Sequence, residues 1–433
     1  MRAGARRMAR VSAQEIPPWS GLSCTTRTTC RVCGSAALEP TFSLGEQYVS
    51  NFVRPEAMSQ ALRAPLELVL CRGCSLLQLR HTAPQELLYA GHYWYRSGVT
   101  ATMRAALRDI TATIERDYPV RAGDIALDIG SNDGTLLRSY TTPGLITAGV
   151  EPAKNLIEQG RQGVSHLIAG FWSHAAYAAR FASKARIITA IGMFYDLEDP
   201  NQFIGDVAQA LDPEGVFVAQ LMSLRPMLEQ NDVGNICHEH LEFYSLASLE
   251  ALFGRHGLEV FDLTLNDVNG GSYRVFARHR GARPSPPPGA EARLEAVRRA
   301  ERALGDPAVY VDFFRRAEAN KARVRAFVEA EVAAGKRIWV YGASTKGNVL
   351  LQYYGLDHTR IEGAADRSPE KWGTCTVGTR IPIMSEAEAR ARRPDYFLVL
   401  PYAFLAEFLE REREFRARGG RFIVPLPELR IVA

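Results

Sequence analysis

No stretch of the 433 residues approaches the ~18 consecutive apolar residues that a membrane-spanning helix needs, so a helical membrane protein is not expected. Charge of one sign is equally scarce, with 52 Lys and Arg against 48 Asp and Glu, a net of +4. So small an excess leaves no electrostatic footprint for nucleic acid or an anionic lipid surface. No apolar h-region follows the three arginines of the first seven residues, which argues against a secretory leader and for a cytoplasmic protein. The Arg- and Thr-rich residues 1–29 read as a disordered or frayed start. No internal repeat of fixed period is found. What remains is ordinary globular composition, 46% hydrophobic and 23% charged, on a chain long enough for two or three domains.

Of the seven cysteines, four form two knuckles, Cys30-Arg-Val-Cys33-Gly34 and Cys71-Arg-Gly-Cys74-Ser75. Each CxxC sets two thiolates on one tight turn, and two such turns complete the soft tetrahedron that Zn²⁺ prefers. The small residues Gly34, Gly73 and Ser75 suit those turns. A lone CxxC also occurs as a redox pair, but two in one short segment favour zinc. A closed site of Cys30, Cys33, Cys71 and Cys74 leaves no position open for substrate, so the ion is expected to be structural. Cys24, Cys237 and Cys375 read as free thiols.

The apolar pattern divides the chain. Residues 30–90 carry short alternating stretches, such as 65–70, that read as small strands around the knuckles. Met103, Leu107, Ile110 and Ile114 make one helical stripe over 101–118. Continuous apolar runs then appear at 125–129, 146–150, 187–191 and 216–221 with helical stretches between, as buried parallel strands require. Runs at 259–264 and 273–277 read as an antiparallel pair ending that sheet. Four prolines within 281–290 mark a boundary. A charged helical stretch follows, and a second α/β unit has strands at 337–341, 396–400 and 421–424. The expected fold is α/β: a zinc-binding domain at 30–90, a Rossmann-like domain at 91–280, a Pro-rich linker with connecting helices at 281–335, and a second Rossmann-like domain at 336–433.

Leu127-Asp-Ile-Gly-Ser-Asn-Asp-Gly-Thr-Leu-Leu137 places a glycine turn between a buried strand and a helix. Gly130 and Gly134 let the backbone approach a ligand, and the helix start offers free N–H groups. Asp128 and Asp133 flank the turn, where they would repel a pyrophosphate and welcome a cation. The dinucleotide fingerprint G-x-G-x-x-G is absent from it. At the end of the next strand Glu151, in Gly149-Val-Glu-Pro152, can accept both hydroxyls of a ribose. An acidic loop with a ribose-binding acid suits a nucleoside that has no phosphates and carries a positive centre. S-adenosylmethionine has both properties. The candidate donor-binding residues are Asp128, Gly130, Asn132, Asp133, Gly134, Glu151 and Pro152.

Taken in order, the cysteine knuckles, IGSNDGTLL, GVEPAKN, His238-Glu-His240-Leu-Glu-Phe-Tyr244, NGGSYRVF and YGASTKGN resemble the sugar C-methyltransferases of deoxysugar pathways, from about residue 30 to the C-terminus. The resemblance implies a zinc-binding N-terminal domain, a central class I methyltransferase domain that binds adenosylmethionine, and a Rossmann-like C-terminal domain. It implies methylation at C-3 of a nucleotide-linked 4-keto-deoxyhexose, with His240 as base and Glu239 and a nearby tyrosine as polar partners. A monomer or homodimer is expected. Two residues depart from the family: Cys237, where Tyr is common, and Asp196, where His often stands. Both bear on which sugar is accepted.

Saturated carbon has no lone pair, so its methylation needs an adjacent ketone and a base that removes the acidified proton to give an enolate. Histidine suits that work near neutral pH, contributing ~10²–10⁴-fold. Cys237-His-Glu-His240 follows the fourth strand through a loop, where catalytic side chains gather in α/β folds. In an extended segment His238 and His240 would point one way and Glu239 the other, so Glu239 and His240 share a site only if the chain turns there. The HExxH spacing of metalloproteases is absent. A second metal site and a satisfied structural histidine stay open beside the base. Tyr95, in Tyr93-Trp-Tyr-Arg-Ser-Gly98, is a phenol near the substrate or else an aromatic hinge.

Tyr341-Gly-Ala-Ser-Thr-Lys-Gly-Asn348 is another strand-to-helix turn, and it is not a Walker A loop. Ser344, Lys346 and Asn348, with Arg367 of Asp366-Arg-Ser-Pro369, are candidates to hold the diphosphate of a sugar nucleotide; the alternative is a domain used only for packing. Two further readings stay open. One is adenosylmethionine-dependent methylation of another small carbonyl compound. The other is a zinc-knuckle nucleic-acid binder, although no arginine-rich patch with interleaved aromatics supports it.

Overall fold

The structure, a computed structural model, describes residues 24–84, 88–89 and 93–433. Strands Leu38–Tyr48, Arg63–Cys71 and Leu77–Leu79 form an antiparallel meander around the knuckles. Its fourth strand comes from far along the chain: Glu242–Phe243 pairs with Leu77–Leu79, Glu242 opposite Gln78 and Phe243 opposite Leu77. Of the frayed start expected at 1–29, residues 1–23 lie outside the described residues. The remainder is corrected, because the β-branched pair Thr25–Thr26 is held antiparallel to His81–Thr82.

The central sheet has seven strands in the order Leu258–Asn266, Ser272–His279, Leu211–Met222, Ala185–Ile191, Ile125–Ile129, Ile146–Glu151, His166–Ala169. The last five run parallel, and the pair at the other edge is antiparallel. Ile125–Ile129 is buried at every residue, which is why its apolar run is unbroken. The strand His166–Ala169 has no such signature, being a short, half-exposed edge. Helix Ala101–Asp117 starts at Thr100, whose hydroxyl accepts from the Met103 amide, and lays Met103, Leu107, Ile110 and Ile114 into the core.

Residues after the proline-rich stretch form helices Ala290–Ala300 and Pro307–Ala333, the second begun by an Asp306 cap. They lead into a six-stranded sheet ordered Ile383–Ser385, Gly363–Asp366, Ile338–Tyr341, Tyr396–Val399, Arg421–Val424, Arg430–Val432. Only the last strand is antiparallel. Leu66, Leu68, Leu77 and Leu79 of the zinc-binding domain, Ile236, Cys237 and Leu241 of the loop after strand Leu211–Met222, and Val340, Leu350 and Leu351 of the C-terminal domain share one buried apolar cluster. The three parts therefore meet around the segment that carries His240. No helix of the described residues is long and apolar enough to cross a membrane.

Candidate active site and metal centre

The knuckles are built alike. Gly34 donates to the Cys30 carbonyl at 3.0 Å and Ser75 to the Cys71 carbonyl at 3.0 Å, and both residues take a left-handed backbone, φ 75° and 59°. The four sulfurs lie within 4.8 Å of one another, with Cys33–Cys71 at 3.4 Å and Cys30–Cys74 at 3.6 Å. Bonds of 2.3 Å to a tetrahedral Zn²⁺ would set sulfurs about 3.8 Å apart, so the cluster fits the ion and is too open for disulfides. A Cβ on Gly73 would stand 3.3 Å from the Cys33 sulfur, so this position keeps the cradle free.

A cavity of about 560 Å³ opens at the carboxyl ends of the central strands. Gly130, Asn132, Glu151 and Pro152 line it, as expected of donor-binding residues. Glu151 is fixed by two backbone amides, Asn132 N–H to one oxygen and Ala153 N–H to the other, each at 2.7 Å. Each oxygen keeps a further lone pair for a ribose hydroxyl.

The flanking acids are corrected. Asp128 lies behind the turn, accepts from the Thr189 hydroxyl at 2.6 Å, and is raised by burial to about 7. Asp133 accepts from the Gly98 amide at 2.7 Å and from the Thr135 hydroxyl at 2.6 Å. Gly134 has φ 78° and faces the Gly160 carbonyl, where a Cβ would come within 2.9 Å. None of the three lines the cavity. Asp133 and Asn132 instead strap down residues 95–98: the Asn132 amide donates to the Tyr95 carbonyl at 3.1 Å and accepts from the Ser97 N–H at 3.0 Å. The carboxyl groups that do line the cavity are others, and Glu198, Asp199 and Asp206 among them were not expected there. Glu151, Asp196, Glu198, Asp199, Asp206 and Glu239 all line the cavity, against Lys346 alone among described lysines and arginines. Phe171 and Trp172 line the same cavity; they follow the short edge strand that leaves little trace in the sequence.

The chain does turn at HEH. The His240 N–H donates to the Cys237 carbonyl at 3.1 Å, so His238 faces away and Glu239 and His240 both reach the cavity. His238 Nε2 donates to the Ala64 carbonyl at 2.9 Å inside the zinc-binding domain, and burial lowers the ring to about 4; it is a structural histidine. His240 Nδ1 lies 2.8 Å from the Asn235 carbonyl, which can only accept, so Nδ1 carries the proton and Nε2 keeps its lone pair. Burial, and secondarily the Lys346 ammonium, hold the ring well below the ordinary histidine range. Burial raises Glu239 to about 7, opposed by hydrogen bonds from Thr345 and Cys237. Asp196 is raised by burial and by the Glu239 and Glu242 carboxylates facing it. Two of the expected catalytic residues thus share one wall, and Tyr95 lines the same cavity. The described His, Cys, Asp and Glu form no second metal-binding cluster.

A second cavity of about 320 Å³ adjoins the first through Tyr93, Tyr95, Met103, Glu239 and Thr345. Ser344 and Arg367 line it together with Arg96, Lys371 and Arg411. The Ser344 hydroxyl caps helix Thr345–Tyr354 by accepting from the Gly347 amide at 3.0 Å. Two expectations are corrected here. Lys346 points across the domain boundary into the first cavity, its Nζ 3.1 Å from the Met222 sulfur. Asn348, one turn along that helix, is buried against Thr379 and lines neither cavity.

Three family models match the chain: a zinc binding domain over residues 30–89, a methyltransferase domain over 99–263, and a C-methyltransferase C-terminal domain over 267–427. The C-methyltransferase NovU of Streptomyces niveus is 34% identical over 409 residues, which cover 93% of this chain and 96% of that protein. Among solved structures, the CcbJ methyltransferase of Streptomyces caelestis is 12% identical with a TM-score of 0.34, over 43% of this chain and 99% of its own. A S-adenosylmethionine-dependent methyltransferase of Clostridium acetobutylicum ATCC 824 is 14% identical with a TM-score of 0.33, over 41% and 92%.

Proposed function

The chain belongs to the S-adenosylmethionine-dependent C-methyltransferases with a zinc-binding N-terminal domain, and from that premise we propose that it methylates C-3 of a nucleotide-linked 4-keto-deoxysugar. The observation that carries this reading is the free Nε2 of His240 in a cavity shared with an acid-lined donor end. Membership in this family displaces the nucleic-acid reading.

When bound, adenosylmethionine supplies an electrophilic methyl group on a sulfonium, and the cavity's carboxylates suit its charge. Glu151 would hold the ribose. His240 Nε2 takes the C-3 proton, and the Asn235 carbonyl, already bound to Nδ1–H, strengthens its hold as the ring becomes imidazolium. The electron pair left on C-3, shared with the carbonyl oxygen, would form the new C–C bond, while the pair of the broken methyl–sulfur bond would stay on sulfur and the donor would leave as a neutral thioether. Lys346, which lines the same cavity as His240, would face the negative oxygen. The nucleotide occupies the second cavity, with Arg367 and Ser344 toward its phosphates, and the sugar reaches past Tyr95 and Glu239 to His240. Methyl incorporation into a panel of nucleotide-linked keto sugars tests the reading. Turnover of none of them, with adenosylmethionine still bound, would instead favour another carbonyl acceptor, a reading to which Asp196 in the cavity lends weight.

Two outcomes follow for the ligand sites. Glu151→Ala should weaken adenosylmethionine binding about 10- to 100-fold by calorimetry, the value of hydrogen bonds to a charged acceptor. Arg367→Ala and Lys346→Ala should part company: the first raises KM for the sugar nucleotide about tenfold with kcat little changed, whereas the second lowers kcat. Losing the Lys346 ammonium also lets the His240 pKa rise. The acid limb of the rate profile should then move to higher pH, because more of the base is protonated at any given pH.

A further inference from the structure

We infer that the zinc-binding domain is the jig for the catalytic base, with Arg31 as a positioning residue that clamps both strips of chain flanking His240. This rests on the reading of His240 as base. Arg31 lies inside the first knuckle, and its side chain is fully buried. Its guanidinium donates to the Leu79 carbonyl and the Thr82 hydroxyl, each at 2.6 Å, and to Glu198 at 3.2 and 3.3 Å. It also lies 3.8 Å from Glu242, which is wholly buried. The knuckle backbone is tied to the same region, since the Asn201 amide donates to the Arg31 and Val32 carbonyls at 2.6 and 2.9 Å.

Those two carboxylates belong to the two strips that frame the base. Glu198 lies next to the end of the cavity-lining stretch 192–199, and Glu242 follows His240 by two residues on the strand that joins the zinc-domain sheet. The strips also hold each other: the Tyr195 carbonyl accepts from Leu241 N–H at 2.8 Å and Glu242 N–H at 3.1 Å, and the Tyr195 and His240 rings meet edge to face at 4.7 Å. Without Arg31 the buried Glu242 carboxyl and the Glu198 carboxylate lose the cation they share, and the framework is free to shift. A displacement near 1 Å at a reacting group costs about 10²-fold in rate.

The test uses zinc-loaded full-length protein carrying Arg31→Met, Arg31→Lys or Glu198→Ala. The Glu198 side chain is 30% exposed, so its truncation spares the fold even if Arg31→Met does not. Metal content and melting temperature should stay near wild type in Glu198→Ala. Amide hydrogen exchange at Leu241 and Glu242 should be about tenfold faster, the loss expected for a charged hydrogen bond. On an accepted substrate kcat should fall about 10- to 100-fold, in Arg31→Met with adenosylmethionine affinity unchanged because Arg31 does not line the cavity, and Arg31→Lys should recover part of the loss. Protection at Leu241 and Glu242 that stays at wild-type level, or in the Arg31 variants a change confined to adenosylmethionine affinity, overturns the inference. Amide exchange needs no substrate. A wild-type enzyme that methylates no keto sugar while the variants lose protection therefore overturns the sugar reading and supports the clamp.

Discussion

His240→Ala should lower kcat about 10²- to 10⁴-fold, the contribution of a well-placed general base, while adenosylmethionine binds as before. Loss of deuterium from C-3 of an accepted keto sugar should vanish with it, because proton removal precedes methyl transfer. Mass spectrometry of recovered substrate reads this directly. The wild-type acid limb should lie below the range of an ordinary histidine, since burial and Lys346 disfavour the imidazolium. Activity should therefore hold through mildly acidic pH and fall only as pH drops through the depressed pKa. A wild-type limb at or above the ordinary histidine value would assign the proton transfer to another group.

Cys71→Ser should have the largest effect on stability. A structural zinc site of this kind contributes about 10 kcal/mol or more, against a total of ~5–15 kcal/mol for a typical domain. The variant is expected to lose its metal and to melt far below wild type, and a strong chelator should do the same to the native protein. Cys24→Ser is the control: Cys24 lies outside the sulfur cluster, and its substitution should leave metal content unchanged. Atomic absorption and thermal melting check both. Equal melting of Cys71→Ser and wild type would show that the ion is not structural.

The features legible in the sequence are those whose cause is local. Ile125–Ile129 shows as an unbroken apolar run because both faces of the sheet are covered, and helix Ala101–Asp117 shows as one stripe because only one side is buried. The knuckles and the glycine turn announce themselves by residue type at fixed spacing. Partners distant in sequence do not. Asp128 and Asp133 looked like a lure for positive charge, but one is occupied by Thr189 and the other by Gly98 and Thr135. Composition reveals a carboxylate without revealing which donor reaches it first. Lys346 and Asn348 sit on one helical turn, yet one crosses to the central domain and the other faces its own core. Helical phase against an unseen neighbour decides that, and a single sequence does not carry it.

Glu242–Phe243 ends up as the edge strand of a sheet whose other members are all complete before residue 80. Exchanging the first 90 or so residues with those of a relative would therefore not be a clean swap of modules. The graft would have to accept a foreign edge strand, and a mismatch there would be felt two residues away, at His240. Recombination in such enzymes should tolerate crossovers after residue 280 far better than crossovers near residue 90, and a library of chimeras should show that asymmetry as a gap in its active members.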